Sequence, residues 1–154
     1  MVAHISLKDK LSEPEKAYLA GIFDGEGTIG YYDFRNRHES TVMITNADPR
    51  LMNWIMDTIG YGNVHTVKKG YTRRKHVVHH WRISNKPRVK EFLEAIYPYL
   101  IVKRDQAELL LSLWNLENPG KNKITSEVKS RRDQVVNKLK LLKTSHFELA
   151  ETIQ

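Results

Sequence analysis

The sequence has no cysteine, which excludes disulfides, thiolate metal sites and thiol nucleophiles. No apolar run approaches the length of a membrane span. Met1 to Lys10 lacks the hydrophobic stretch of a secretory signal, so an intracellular protein is expected. Acidic residues are missing altogether between Thr58 and Lys90. What fills that stretch is cationic: Lys68, Lys69, Arg73, Arg74, Lys75, Arg82, Lys86, Arg88 and Lys90, with His65, His76, His79 and His80. Over the whole chain, 25 Lys and Arg face 18 Asp and Glu, a formal charge of +7. Cations without local counter-charges repel one another in a compact fold. A polyanionic partner relieves that repulsion and gains the entropy of released counterions. A solvated basic face is the bland alternative, and nucleic acid is favoured over it.

The 154 residues suit one domain with its own core, expected over about 12–143 with a C-terminal tail at 144–154. Ser12 and Glu15 form a capping-box pattern around Pro14, predicting a helix through Lys16 to Phe23. It is expected to stop near Asp24-Gly25, where glycine permits a left-handed residue. Strands follow at Thr28–Phe34 and Thr41–Thr45, joined by Arg35-Asn36-Arg37-His38. Asp48-Pro49 opens a second helix bearing Leu51, Trp54, Ile55 and Ile59. Strands at 63–69 and 76–84 flank a basic turn. Asn85-Lys86-Pro87 starts a helix that Pro98 ends. A further helix holds Ala107, Leu110, Leu111 and Trp114, and a last one runs from about Thr125. The order αββαββ plus helices implies an α+β fold with one four-stranded antiparallel sheet, helices covering one face. In the fourth strand Trp81 and Ile83 should face the helices, and His80 and Arg82 should face away. An exposed basic sheet face suits the DNA major groove.

The segment Leu19-Ala20-Gly21-Ile22-Phe23-Asp24-Gly25-Glu26-Gly27 carries the chemistry. Ala17, Gly21 and Gly25 recur every four residues, with Ala20 beside them. That leaves one helix face nearly bare, so that two copies can pack backbone to backbone. Asp24 and Glu26 fall at the C-terminal tip, where the helix dipole is negative. Two such tips together concentrate carboxylates and carbonyls into a site for hard divalent cations. Gly25 to Gly30 also reads GxGxxG, but that motif needs a strand before it and a helix after it. A calcium loop from Asp24 fails at Ile29 and Arg35.

The same nine residues resemble the signature of the LAGLIDADG homing endonucleases, with Glu26 at the place of the second acid. The resemblance extends loosely over about 110 residues, to near Gln106. It implies a metal-dependent endonuclease cutting double-stranded DNA at a long pseudo-palindromic site. One copy of the motif implies a homodimer. Mg²⁺ is the implied cofactor, with Mn²⁺ substituting and Ca²⁺ binding without supporting cleavage. Glu26 and the Gly25 carbonyl are the implied metal ligands, and Asp24 has a structural role between paired helices. Lys103, after Tyr97-Pro98-Tyr99-Leu100, takes the place of the lysine beside the scissile phosphate. Asn46 takes the place of a solvent-ordering polar residue. Arg50 is either a phosphate contact or an exposed first-turn residue.

Alternation and turn position nominate Thr28, Tyr32, Arg35, Arg37, His38, Thr41, Met43, His65, Lys69, Arg73, Arg74, His80 and Arg82 for DNA contact. Lys121, Lys123, Lys129, Arg131 and Arg132 are expected to add backbone contacts. Two other functions compete. A non-cleaving binder on the same fold, such as a splicing maturase or transcription regulator, tends to lose the second acid. A basic structural protein accounts for the charge but not for the acidic, small-residue helix.

Overall fold

The computed structural model describes residues 3–68, 76–117 and 124–152, with side chains to residue 144. The elements run α1 (Leu7–Lys10), α2 (Glu13–Glu26), β1 (Gly27–Phe34), β2 (Arg37–Asn46), α3 (Pro49–Ile59), β3 (Asn63–Val67), β4 (Val78–Ile83) and α4 (Lys86–Ile96). A single 3₁₀ turn (Tyr97–Tyr99), α5 (Arg104–Leu116) and α6 (Ser126–Thr152) complete the chain. The strands form one antiparallel sheet in the order β1-β2-β4-β3.

Local chemistry fixes the helix starts. The Ser12 side chain accepts from the Glu15 N–H while the Glu15 carboxylate accepts from the Ser12 N–H, the reciprocal box expected from the sequence. Asp48 and Asn85 cap α3 and α4 one way only, accepting from the Arg50 and Arg88 N–H groups, each ahead of a proline in the first turn. Each such cap contributes about 1 kcal/mol.

The end of α2 differs from expectation. The helix continues to Glu26, and the backbone then turns extended at Gly27 with φ −88°. Gly25 adopts no left-handed conformation. Glycine is required at 27 for a different reason: a Cβ there would lie 2.3 Å from the Phe23 ring and 2.4 Å from its carbonyl oxygen. The β1–β2 connection is also tighter than expected. Arg35 and Asn36 alone make the turn, with φ 51° and 62°, and β2 begins at Arg37. Positive φ at both central residues matches the right-handed twist of the flanking strands. The segment expected as a tail from 144 is helical to Thr152. At the other end, the buried Leu7 and Leu11 extend the core ahead of residue 12.

Alternation sends Ile29 and Tyr31 of β1, Val42 and Ile44 of β2, and Trp81 and Ile83 of β4 into the helices. There they meet Leu19 and Phe23 of α2, Ile55 and Ile59 of α3, and Phe92, Leu93 and Ile96 of α4. Phe92 lies at the centre, 5.3 Å from both the Phe23 and the Trp81 ring centroids. Each of these fully buried side chains contributes about 1.5–3 kcal/mol over exposure. The other face of the sheet is mostly polar. That division places every even position of β1 and β4, and every odd position of β2, on one open surface.

Candidate functional site

The register Gly27↔Ile44 sets the start of β1 beside the end of β2, so the tip of α2 and Asn46 share one end of the sheet. At that tip the two acids have separate situations. The Asp24 carboxylate is engaged, accepting from the Ile101 N–H at 2.8 Å and the Lys103 N–H at 2.9 Å. It thereby straps the turn before α5 to the end of α2. Glu26, the last residue of α2, is exposed. The Lys103 ammonium returns across the strap and donates to the Asp24 carbonyl oxygen at 2.6 Å. Burial pushes the Lys103 pKa down, against the opposing pull of the Asp24 and Glu26 charges.

A second lysine arrives at this end from α6. Lys143 donates to the Ile29 carbonyl oxygen of the edge strand β1. Burial lowers its pKa, and the charge of Lys103 lowers it further. Sequence reasoning missed Lys143, although a signal was present. It stands four residues after the buried Leu139, so helical spacing puts an ammonium on an otherwise apolar face.

Asn46 closes β2, and its side-chain oxygen accepts from the Asp48 N–H at 2.8 Å, forming the turn into α3. Arg50 is exposed and paired with Asp48 at 2.6 Å. Its guanidinium holds the Asp48 carboxyl at about 2. Ala17, Gly21 and Gly25 form an exposed stripe along α2, and a Cβ added to Gly21 or Gly25 meets nothing within 4 Å. Ala20 does not belong to that stripe. It is fully buried in the core with Leu19 and Phe23, a quarter-turn away from the bare face.

The open sheet face carries Thr28 and Tyr32 from β1, Arg37 and Met43 from β2, His80 and Arg82 from β4, and His65 from β3. Arg35 projects at the turn, over the Phe34 ring. Side-chain bonds cross strands on this surface. Arg82 donates to the Tyr32 hydroxyl at 3.3 Å, and Thr45 shares a hydrogen bond of 2.6 Å with His80 Nδ1. Thr45 was not among the sequence-based candidates, though period-two spacing from Met43 places it on the same face. The acid Glu39 also lies there, opposite Tyr32.

Three of the candidates for DNA contact fail on geometry. His38 has the parity of Val42 and Ile44, so its side chain turns to the helices and pairs with Asp133 of α6 at 2.8 Å. The early start of β2 is the cause, because a strand position was taken for a loop. Thr41 faces the right way but is only 9% exposed, its hydroxyl seated over Gly30. Arg132 turns inward to Glu117 at 2.6 Å. Lys69, Arg73, Arg74, Lys121 and Lys123 lie outside the described residues.

Comparison with known proteins agrees with this architecture. The family profile described as a LAGLIDADG-like domain matches residues 13–97, more than half of the sequence. The chain belongs to the LAGLIDADG family. The DNA endonuclease I-CreI of Chlamydomonas reinhardtii is 29% identical over 103 residues, covering 62% of this chain and 60% of the relative. The chain therefore matches less than two thirds of that protein's length. Among solved structures, the homing endonuclease I-CvuI in complex with its target in the presence of Ca superposes with a TM-score of 0.65 at 20% identity, covering 84% of this chain and 82% of that one. The LAGLIDADG meganuclease I-AabMI bound to uncleaved DNA gives 0.59 at 23% identity, covering 83% and 43%. These likenesses show the shared LAGLIDADG fold: one antiparallel sheet backed by helices.

Proposed function

We propose that this chain is a site-specific double-strand DNA endonuclease, a homing endonuclease that acts as a homodimer inside the cell on a long, nearly palindromic site. One observation carries the reading. An exposed carboxylate, Glu26, ends α2 near the Lys103 ammonium that the Asp24 strap holds there, and the basic open face extends from that end. A duplex lying on the face would bring a phosphate to them.

Each part then has a task. Arg82, Arg37, Arg35, His65, His80, Tyr32, Thr28 and Met43 would meet base edges and phosphates. Lys103 and Lys143 would stabilise the negative charge that builds on the phosphate during attack. Asn46 would hold the attacking water, and Arg50 would bind backbone. Glu26 with the Gly25 carbonyl is an all-oxygen donor set at a negative helix end, which fits Mg²⁺. Such an ion supplies charge neutralisation and a more acidic water for phosphodiester hydrolysis. We expect Mn²⁺ to substitute and Ca²⁺ to bind without supporting cleavage. The bare stripe of Ala17, Gly21 and Gly25 would meet its symmetry mate and set two Glu26 side chains over the two strands.

The test is a cleavage selection on a randomised-site DNA library with Mg²⁺, followed by the same reaction in EDTA. Double-strand cuts that EDTA abolishes are expected, together with binding that weakens steeply with added salt. Retained DNA binding with no cutting under any divalent ion would favour the non-cleaving binder. A particle the size of one protomer on its target would refute the symmetric arrangement.

A further inference from the structure

Far from the α2 tip, three side chains from three elements converge. Asp33 lies near the end of β1, directly opposite His38 of β2, and Asp133 comes from α6. One donor atom from each lies within 4.8 Å of the others. The His38 side chain is 3% exposed, and its Nε2 is 2.8 Å from Asp133 Oδ1. Asp133 is 47% exposed and Asp33 is exposed, so the cluster opens to solvent on its carboxylate side.

We infer that Asp33, His38 and Asp133 form a binding site for a first-row divalent cation, best suited to zinc, separate from the Glu26 centre. The donor chemistry selects the ion. Two carboxylates and one imidazole are a three-ligand set of the kind zinc accepts, with water completing the coordination on the open side. Mg²⁺ prefers oxygen and dehydrates reluctantly, so the imidazole disfavours it. The burial of His38 limits its imidazole to few orientations, so little ordering remains when a cation arrives. The Tyr31 ring, 5.7 Å away and tilted by 30°, flanks it on the core side. A simple His–Asp ion pair accounts for two of the three residues. It does not account for Asp33, a second carboxylate held within reach of the same imidazole.

The two centres are physically distinct. Asp33 follows Glu26 by seven positions along an extended strand, roughly 20 Å at the usual rise per residue. A cation at the second site would bind the end of the β1–β2 hairpin to α6. It would thereby fix the end of the hairpin, where Arg35 and Arg37 lie.

The experiment uses the full chain with E26Q, which removes the carboxylate at the α2 tip. Zn²⁺ is titrated by calorimetry and by thermal unfolding, and Co²⁺ is titrated by visible absorption. The expected result is one equivalent bound per protomer, a rise in Tm of about 5 °C at saturating Zn²⁺, and Co²⁺ d–d bands. Millimolar Mg²⁺ should not compete. Adding Asp33→Asn keeps the His38–Asp133 pair and so the fold, and should weaken Zn²⁺ at least tenfold. His38→Gln should abolish the bands. Zinc uptake undiminished by Asp33→Asn would overturn the assignment, since Asp33 would then be no ligand. Failure of E26Q to respond to Zn²⁺ or Co²⁺ at all would overturn it equally.

Discussion

The two sides of α2 use the same residue type for opposite purposes. On the inner side, Leu19, Ala20 and Phe23 are fully buried, and Gly27, just past the helix end, is glycine because Phe23 leaves no room for a Cβ. On the outer side, Ala17, Gly21 and Gly25 are exposed, and no atom lies within 4 Å of a Cβ added to either glycine. The acids divide likewise: Asp24 is held by two backbone N–H groups, whereas Glu26 is exposed at the tip. The inner residues are demanded by the protomer's own packing. The protomer has no use for smallness on the outer side, where glycine costs about 1 kcal/mol each against alanine in a helix. The proposed pairing of two α2 helices would use that bare face.

Substitutions on either side can break that contrast. The largest effect is expected from Glu26→Gln, which should lower DNA cleavage by about a thousandfold or more while leaving Tm unchanged. Single-turnover cleavage alongside thermal unfolding checks both halves. Gly27→Ala should do the reverse, destabilising the fold by about 2–4 kcal/mol as the methyl group forces Phe23 aside. Chemical denaturation reads this directly, and a change under 1 kcal/mol would contradict the packing argument. Gly21→Leu should leave Tm within a few degrees but shift the particle from dimer to monomer in sedimentation, with cleavage lost in parallel. A dimer that survives Gly21→Leu would mean that the bare stripe is not the contact surface.

The smallest effect concerns a half-buried ion-pair anchor elsewhere. Burial raises the Glu117 carboxyl, but hydrogen bonds from Arg132 and Lys86 outweigh it and hold the group below 4.5. A depressed folded value means stability present above 4.5 and lost as pH falls through it toward the folded pKa. Glu117→Gln should therefore be slightly less stable at neutral pH and should lose less stability on acidification. Tm measured across that pH range tests the difference.

Much of this arrangement was readable before any coordinates. Ser12, Asp48 and Asn85 each announce a helix because a short polar side chain caps best just ahead of a proline or a helical run. The parity of Trp81 and Ile83 in β4 gave its open face correctly, because apolar alternation determines facing. In β2 the same reasoning slipped. A two-residue turn with positive φ usually contains glycine, and Arg35-Asn36 offers none, so Arg37 and His38 read as loop and His38 was sent outward. Ala20 failed for a related reason: small size does not distinguish a residue packed under its own sheet from one bared for a partner. The Asp24 strap and Lys143 depend on contacts 77 to 114 residues apart. Such contacts leave only an oblique trace in local pattern, here a lysine at an apolar helix position.

On the proposed function, the Tyr32–Arg82 and Thr45–His80 bonds bear on how such a protein would be retargeted. Residues that read a duplex are often treated as independent letters, exchanged one at a time. Here the guanidinium and the imidazole take their aim from a neighbour two strands or one strand away, so the unit of change is the couple. A library that varies Arg82 while holding Tyr32 fixed would sample mostly misdirected side chains, whereas joint randomisation of each couple would explore working alphabets.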